Sequence, residues 1–525
     1  MTNSIPDRAT DGAPEPAAAV PSALPPSPAA RGDAQVVSRF TRVPLSRFEV
    51  AALAVGALLL LLVHAPFRFP GFGEQDAARL ATDAINWHFE HAIYAEKVDY
   101  RLHTSPLYIH SLKLLLDHGL RVRSVPALMN LASLLSGSAC IVGLYLLFRR
   151  LTRPAVAAAA TTVYALTPAF WLGCSYGMPT LPSLTCWVFA VLAFARATDE
   201  PSYRTRAFSA FMAACAALTM VAFSLKADMV LSGGALFLVM LGRDRLRLRY
   251  FVSAAGVLVV GLLCSVLYSH HLATPVANVA ARVAATSDVH DFLSSWSARF
   301  PFKWSLLIDP KNNAAITHAS GSLLFGVILL ALGHGLVAGG KRTRFALGAA
   351  SWGLLPMLFW GLKPGNSARH NLPALPPLVL LAVVMLFQLC ADKARKAWLL
   401  IGLIALFGQL DATGYNSVTP SVDLLAIARQ IAGSSNALHD RAREFAASPA
   451  PKKALIESEY LQSYSEFEVW AAAKAPALQL EPRAVLDGQA QETRIVRVNG
   501  ARAAKARAQA LRSAGYDVFS LQYEL

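Results

Sequence analysis

The sequence predicts an α-helical polytopic membrane protein with a small α/β domain at its C-terminal end. Of its 525 residues 55% are hydrophobic and only 15% are charged, and its mean hydropathy is +0.42. Several segments reach the roughly 20 apolar residues needed to cross a bilayer core of about 30 Å. Residues 413–525 are polar and mixed instead, and they carry short strand-like and helix-like patterns. These observations separate a membrane domain from a C-terminal domain.

The positive charge of the chain indicates membrane topology. The formal charge is +15 and the pI is about 9.7, which could suggest nucleic acid. However, the lysines and arginines are concentrated in short loops between apolar segments, as is typical of cytoplasmic loops. We therefore expect membrane lipids as partners and no nucleic acid.

The cysteines predict neither a disulfide framework nor a zinc site. They fall in or at the ends of apolar segments, with neither paired nor metal-type spacing. The six are Cys140, Cys174, Cys186, Cys215, Cys264 and Cys390.

Eleven apolar segments follow a polar N-terminal region. Residues 1–46 are rich in Pro and Ala and predict a disordered cytoplasmic tail. The run 48–66 is longer than a signal-peptide core and lacks a small-residue cleavage site, so we expect a retained spanning helix. Together the segments predict about eleven transmembrane helices within residues 47–412. The others lie at about 124–148, 155–174, 179–195, 207–225, 227–242, 250–270, 318–339, 345–362, 371–391 and 397–411.

The basic loops predict which side each loop occupies. With the N-terminus in the cytoplasm, the loops that carry most arginines and lysines all lie inside. Splitting 207–225 from 227–242 keeps the four arginines of 243–249 inside as well. The large first outer loop, 67–123, and residues 413–525 then lie on the periplasmic or extracellular side of the plasma (inner) membrane.

Short patterns in residues 413–525 predict the α/β domain. Strands are expected at 454–457, 494–498 and 516–521, with a helix at 501–514 that ends at Gly515. No Gly-x-Gly-x-x-Gly fingerprint is present, so we infer no nucleotide site there.

The most suggestive stretch is Gly71-Phe-Gly-Glu74-Gln-Asp76-Ala-Ala-Arg79, just after the first apolar segment. Glu74 and Asp76 begin an amphipathic helix whose apolar face runs from Ala77 to His88. We expect this helix to lie along the membrane surface, with Trp87, Phe89 and Tyr94 as interfacial anchors. Acidic residues in a first helical turn also simply complement the helix dipole.

Three later features supply cations to the same predicted outer face. Lys226 and Asp228 stand where two apolar segments meet, although such a lysine can simply snorkel to lipid headgroups. Lys363-Pro-Gly-Asn-Ser-Ala-Arg369-His370 opens a late segment that continues through Leu372-Pro-Ala-Leu-Pro-Pro377. Arg101-Leu-His103-Thr-Ser-Pro106-Leu-Tyr108 lies in the first outer loop and is also compatible with an interfacial turn.

In this order, the motifs resemble the GT-C membrane glycosyltransferases, in particular the protein O-mannosyltransferase and lipid A aminoarabinose transferase branch. The resemblance covers roughly residues 48–411 and implies a GT-C catalytic domain. It matches Glu74 and Asp76 to the acidic pair, Lys226 to the helix-end lysine and Arg369 to the late-helix arginine. The chain departs from the family at His370, where tyrosine is common, at Ser105, where a second proline is usual, and in loop 176–182, which lacks an acidic residue.

The resemblance implies a sugar donor linked to polyprenyl phosphate and a hydroxyl acceptor on a lipid, a glycan or a protein. Asp76 would be the general base, and Glu74 an orienting or metal-binding partner, or these two roles would be exchanged. Lys226, Arg369, His370 and Arg101 would bind the phosphate, with Asp228 and His103 as orienting residues. No cofactor is certain; Glu74 and Asp76 could hold a divalent cation if substrate phosphate completed its shell.

Two readings from other classes stay open. A transporter or flippase of a lipid-linked glycan would line its pathway with these charges, but such proteins often have repeated halves, which this sequence lacks. A non-catalytic envelope assembly protein would tolerate substitutions of Asp76 and Arg369. The sequence identifies neither the sugar, nor the acceptor, nor the oligomeric state.

Overall fold

Most helices of the membrane domain occupy positions that the apolar segments predict, whereas the helices Gln75–His88 and Pro106–Asp117 lie in the predicted outer loop 67–123. The computed structural model describes residues 44–65, 75–88, 105–200, 202–242, 247–272, 305, 317, 319–362, 368–390, 393, 395–404, 441, 444–445, 447–457, 493–497 and 501–520. The helices of the membrane domain are α1 Arg47–His64, α2 Gln75–His88, α3 Pro106–Asp117, α4 Val125–Leu151, α5 Pro154–Ala165, α6 Pro168–Ser175, α7 Thr180–Ala197, α8 Arg206–Leu225, α9 Gly234–Gly242, α10 Leu248–Leu272, α11 Ser322–Val337, α12 Gly340–Gly361 and α13 Leu375–Leu389.

The chain is a multi-pass membrane protein, but the count of eleven spans is not confirmed. Within the described residues, six helices are long and apolar enough to cross a membrane, or seven if one bent pair is a single span. The segments Ala227–Gly242 and Ser322–Val337 are apolar but shorter. The count of eleven spans therefore stays a prediction.

The bent pair is α5 and α6, which the sequence predicts as one segment. Their axes differ by 62°. Pro168 is the first residue of α6, and Thr167 before it has extended φ and ψ angles of −69° and 142°. Proline disfavours helical angles in the preceding residue and has no N–H for the helix ladder. The apolar stretch therefore continues while the helix breaks.

The core of the membrane domain lies between α4, α7, α8, α12 and α13. α8 packs along α7, and α9 packs along α12. Almost every side chain of α13 is buried, from Leu375 to Phe387. α1 is largely exposed and is tied to α4 near its N-terminal end, where Arg149 donates through Nε and Nη2 to Glu49 at 2.6 and 3.0 Å.

α2 has the apolar face that the sequence predicts, but this face packs against protein. Its five apolar members, Ala77, Leu80, Ala81, Ala84 and Ile85, are at most 6% exposed. They lie against α3 and α4. His88 contacts Asp117 at 2.7 Å, and Lys113 contacts the same carboxylate at 2.5 Å. Phe89, Tyr94 and the side chain of Trp87 lie outside the described residues.

The described C-terminal strands form a three-stranded parallel sheet. β1 Lys453–Glu457 lies between β2 Thr493–Arg497 and β3 Asp517–Ser520. The helix α14, Ala501–Ser513, buries Ala504, Ala508 and Leu511 against this sheet. The strands and the helix coincide with the predicted ones; the assignment of 413–525 as an outward-facing domain stays a prediction.

Candidate active site

Asp76 stands in the first turn of α2, where a negative charge is favoured by the helix dipole. The next two residues, Ala77 and Ala78, are fully buried and fix this end of the helix against the protein. The side chain of Asp76 is 49% exposed. The fold therefore holds the backbone rigidly and leaves the carboxylate open to a ligand.

Arg369 reaches Asp76 from a distant part of the chain. It lies in the 3₁₀ helix Ala368–Ala374, which leads into α13. Pro373, Pro376 and Pro377 lack the N–H groups that a longer α-helix would use here. Arg369 Nη2 donates to Asp76 Oδ2 at 2.5 Å, and the arginine side chain is only 14% exposed. The predicted phosphate ligand and the predicted base are thus in direct contact.

His370 and Trp360 extend the site from Arg369 towards Lys226. Arg369 Nε donates to His370 Nε2 at 3.3 Å. The His370 ring stacks on Trp360, with ring centroids 3.8 Å apart and an interplanar angle of 11°. Lys226 Nζ lies 5.7 Å from the Trp360 centroid, within range of a cation–π interaction. The indole ring therefore supports two of the predicted phosphate-binding side chains.

Lys226 occupies a break in the chain between α8 and the 3₁₀ helix Ala227–Gly233. Its backbone is extended, with φ −158° and ψ 104°. Its ammonium donates to Asp228 Oδ2 at 2.5 Å. Ser183 of α7 donates to the Ala222 carbonyl at 2.7 Å, which fixes the end of α8. The lysine therefore projects from a positioned helix end and has the partner that the sequence suggests.

One wall of the neighbourhood is built by α6 and the turn after it. α6 packs on the 3₁₀ helix of Arg369, and a Cβ at Gly173 would lie 3.0 Å from Leu372. Tyr108 of α3 donates to the Gly177 carbonyl at 2.9 Å and holds the turn. Gly177 has φ +67°, a conformation that favours glycine. The wall is therefore fixed by local backbone constraints.

Burial and nearby cations act on Asp76 in opposite directions. Burial among protein atoms raises the pKa of its carboxyl, while the charges of Arg79 and Lys226 oppose that shift. The Asp76 side chain is nevertheless 49% exposed, so solvent screens part of both effects. A carboxyl with a raised pKa is a better proton acceptor once ionised.

Five of the predicted residues are joined in one chain of contacts in which Trp360 links His370 to Lys226: Asp76, Arg369, His370, Lys226 and Asp228. Glu74, Arg101, His103 and Lys363 lie outside the described residues. Arg79 belongs to the stretch that the sequence singled out but was given no role, and Trp360 was not singled out. Arg79 follows Asp76 by three residues in α2, so helical spacing alone places the two side chains on the same face. The residues next to Trp360 in sequence do not indicate that it contacts His370 and Lys226.

The described residues also bear on the predicted divalent cation. Among them, no three His, Cys, Asp or Glu side chains are grouped as a metal site would require. Glu74 is not among them, and Asp76 is engaged by Arg369. The cation stays a prediction.

The arrangement combines a half-exposed carboxylate with cationic side chains. Such a set can accept a proton from a hydroxyl and stabilise an anionic oxygen that develops nearby. Arginine is suited to phosphate because its planar fork donates two parallel hydrogen bonds. The site therefore fits a reaction in which an alcohol attacks and a phosphate leaves.

Comparison with known proteins agrees with the fold. The profile of the dolichyl-phosphate-mannose-protein mannosyltransferases matches residues 120–270. Among curated protein sequences, no significant match is found.

Solved structures match over most of the chain. ArnT from Cupriavidus metallidurans bound to undecaprenyl phosphate is 18% identical, with a TM-score of 0.52, over 82% of this chain and 89% of ArnT. ArnT in the apo state is 17% identical, with a TM-score of 0.52, over 80% and 84%.

The archaeal oligosaccharyltransferase AglB from Archaeoglobus fulgidus, in complex with an inhibitory peptide and a dolichol-phosphate, is 12% identical, with a TM-score of 0.51. The match covers 81% of this chain but 64% of AglB. At these identities the likeness shows the fold alone. The chain has the GT-C fold, as its sequence motifs indicate.

Proposed function

We propose that this protein is an integral-membrane glycosyltransferase that moves a sugar from a polyprenyl-phosphate donor to a hydroxyl acceptor at the outer face of the membrane. The contact between Asp76 and Arg369 carries the proposal, because it joins a base and a phosphate ligand that lie 293 residues apart in sequence. The fold supports it, since solved structures of this fold hold undecaprenyl phosphate and dolichol-phosphate.

In the proposed reaction the acceptor oxygen attacks the anomeric carbon of the donor sugar. The new bond joins that carbon to the acceptor oxygen, and the bond to the phosphate oxygen breaks. The phosphate leaves with the electron pair, as polyprenyl phosphate, and the acceptor proton passes to the Asp76 carboxylate. Proton transfer of this kind contributes typically about 10²- to 10⁴-fold in rate.

The cationic residues have a separate role in this scheme. Arg369 and Lys226 hold the donor phosphate and stabilise the charge that grows as it leaves, which is the electrostatic part of catalysis. His370 contacts Arg369, and Trp360 supports His370 and Lys226. Glu74, Arg101 and His103 complete the proposal as the orienting and phosphate-binding residues of the adjoining segments.

The remaining parts of the proposal concern topology. The N-terminus lies in the cytoplasm of an inner-membrane protein, and residues 413–525 form a periplasmic or extracellular domain. This places the carboxylates, the cations and the C-terminal domain on one side, where donors are lipid-linked. The positive-inside distribution of lysine and arginine supports this orientation.

The proposal is tested by mass spectrometry of envelope glycolipids and glycoproteins. Cells that lack the protein are complemented with wild type, Asp76→Asn or Asp117→Asn at matched expression. Asp117→Asn is the matched control, because it also removes a carboxylate from ion pairs on the α2–α3 side of the fold. A defined sugar mass should return with wild type and the control only. If Asp76→Asn restores the profile equally, Asp76 is not the base, and the transporter or assembly function takes precedence.

Metal dependence has its own test on the purified protein. A divalent cation held by Glu74, Asp76 and the donor phosphate would make transfer stop with a chelator and return with Mg²⁺. Transfer that continues unchanged in chelator would exclude that role.

A further inference from the structure

Arg369 is engaged with both the proposed base and the histidine of the phosphate site. Its Nη2 contacts Asp76 Oδ2 at 2.5 Å, and its Nε donates to His370 at 3.3 Å. The Arg369 side chain is 14% exposed, whereas the Asp76 side chain is 49% exposed. Arg369 is thus the more buried partner of the pair, and the Asp76 carboxylate covers its Nη2 atom.

When no donor is bound, the contact with Asp76 neutralises the positive charge of Arg369. A nearly buried guanidinium that lacks a counter-charge is strongly unfavourable, and Asp76 supplies that charge. A phosphate supplies it as well, with more acceptor oxygens and a geometry that suits the arginine fork. Asp76 and a donor phosphate are therefore alternative partners of the same cation.

The same contact limits Asp76 as a base. Oδ2 accepts a short, charge-assisted hydrogen bond, and the positive charge of Arg369 favours the ionised carboxylate, which makes Asp76 a weaker proton acceptor. A base must come within about 2.6–3.2 Å of the oxygen whose proton it takes. Release of Arg369 would remove this restriction.

We propose that the lipid phosphate competes with Asp76 for Arg369, so that donor binding detaches the carboxylate and makes it available as the base. This inference rests on the proposed function and specifies its regulation: the donor binds first, and the base acts only when the donor is in place. Release of the pair leaves a carboxyl whose pKa burial has raised, which favours proton acceptance.

The test measures binding, and therefore does not depend on turnover. The full-length protein in detergent is titrated with farnesyl phosphate, a soluble polyprenyl monophosphate, and the dissociation constant is measured by calorimetry. The variants are Asp76→Asn, Arg369→Gln and the double variant, with Asp117→Asn as control. Farnesol, which has the same chain without the phosphate, is titrated in parallel.

Competition predicts a coupled result. Asp76→Asn should tighten farnesyl phosphate binding at least about 3-fold, and this gain should vanish in the Arg369→Gln background. Asp117→Asn and the farnesol titrations should show no such gain. Arg369→Lys keeps the charge and should retain part of the coupling, which guards against a Gln variant that is poorly folded.

Other outcomes overturn the inference in distinguishable ways. Equal tightening with and without Arg369 would show a general effect of negative charge, and no tightening at all would show that Asp76 does not compete. Wild-type protein that binds no farnesyl phosphate would instead overturn the proposed function itself.

Discussion

The close packing of α9 against α12 at Gly234 is expected to be necessary for an intact site. Gly234 is the first residue of α9, and its backbone angles are helical, so alanine would be tolerated locally. However, a Cβ at Gly234 would lie 2.2 Å from the Ser351 carbonyl oxygen of α12. Ordinary contact begins near 3.4 Å, so Gly234→Ala would force the two backbones apart by about 1.2 Å.

That displacement would reach the site through short connections. The 3₁₀ helix that carries Asp228 precedes α9 directly and packs on α12, which carries Trp360. Lys226 and Trp360 would therefore separate. Overpacking costs typically about 1–3 kcal/mol, and a misplacement of about 1 Å in an active site can lower the rate about 10²-fold.

The assay compares two glycine substitutions. Gly256 lies in α10 and has no atom within 4 Å of an added Cβ, so Gly256→Ala should be neutral or slightly stabilising through helix propensity. Melting temperature in detergent and the rate of sugar transfer are measured for both variants. Gly234→Ala should be less stable and slower; behaviour equal to that of Gly256→Ala would refute the close packing of α9 and α12.

Three further predictions concern single side chains. Trp360→Leu should raise the KM for the donor about tenfold in steady-state kinetics, because Lys226 loses its ring contact, whereas Trp360→Phe should recover most of it; equal values would contradict a role for the ring. Tyr108→Phe removes the buried hydrogen bond to Gly177 and should lower the unfolding free energy by about 1 kcal/mol; an unchanged melting temperature would argue against it. Hydrogen bonds from Lys113 and His88 lower the pKa of Asp117. The carboxylate therefore stabilises the fold above the unfolded pKa near 3.9, and this stabilisation is lost as pH falls through the folded pKa. The difference in unfolding free energy between wild type and Asp117→Asn should shrink between pH 7 and 3, and a constant difference would refute the linkage.

The helices and the fold class follow from local sequence information. An apolar segment must satisfy its backbone hydrogen bonds internally in lipid, so hydropathy alone locates helices such as α4 and α8. The buried face of α2 likewise follows from residues within a few turns. The apolar run 155–174 continues across Pro168, so hydropathy predicts a single segment where the helix bends.

The packing of the membrane domain determines which of the predicted site residues contact one another, and the sequence alone does not show this. The order of the motifs and their resemblance to the GT-C transferases predict roles for Asp76, Lys226, Arg369 and His370, and for Lys226 the cost of a charge near membrane depth supports that prediction. Their contacts depend on how distant helices pack, since Asp76 and Arg369 are 293 residues apart. No local pattern shows that Trp360 supports His370 and Lys226, because stacking is a property of two surfaces that meet only in the folded chain.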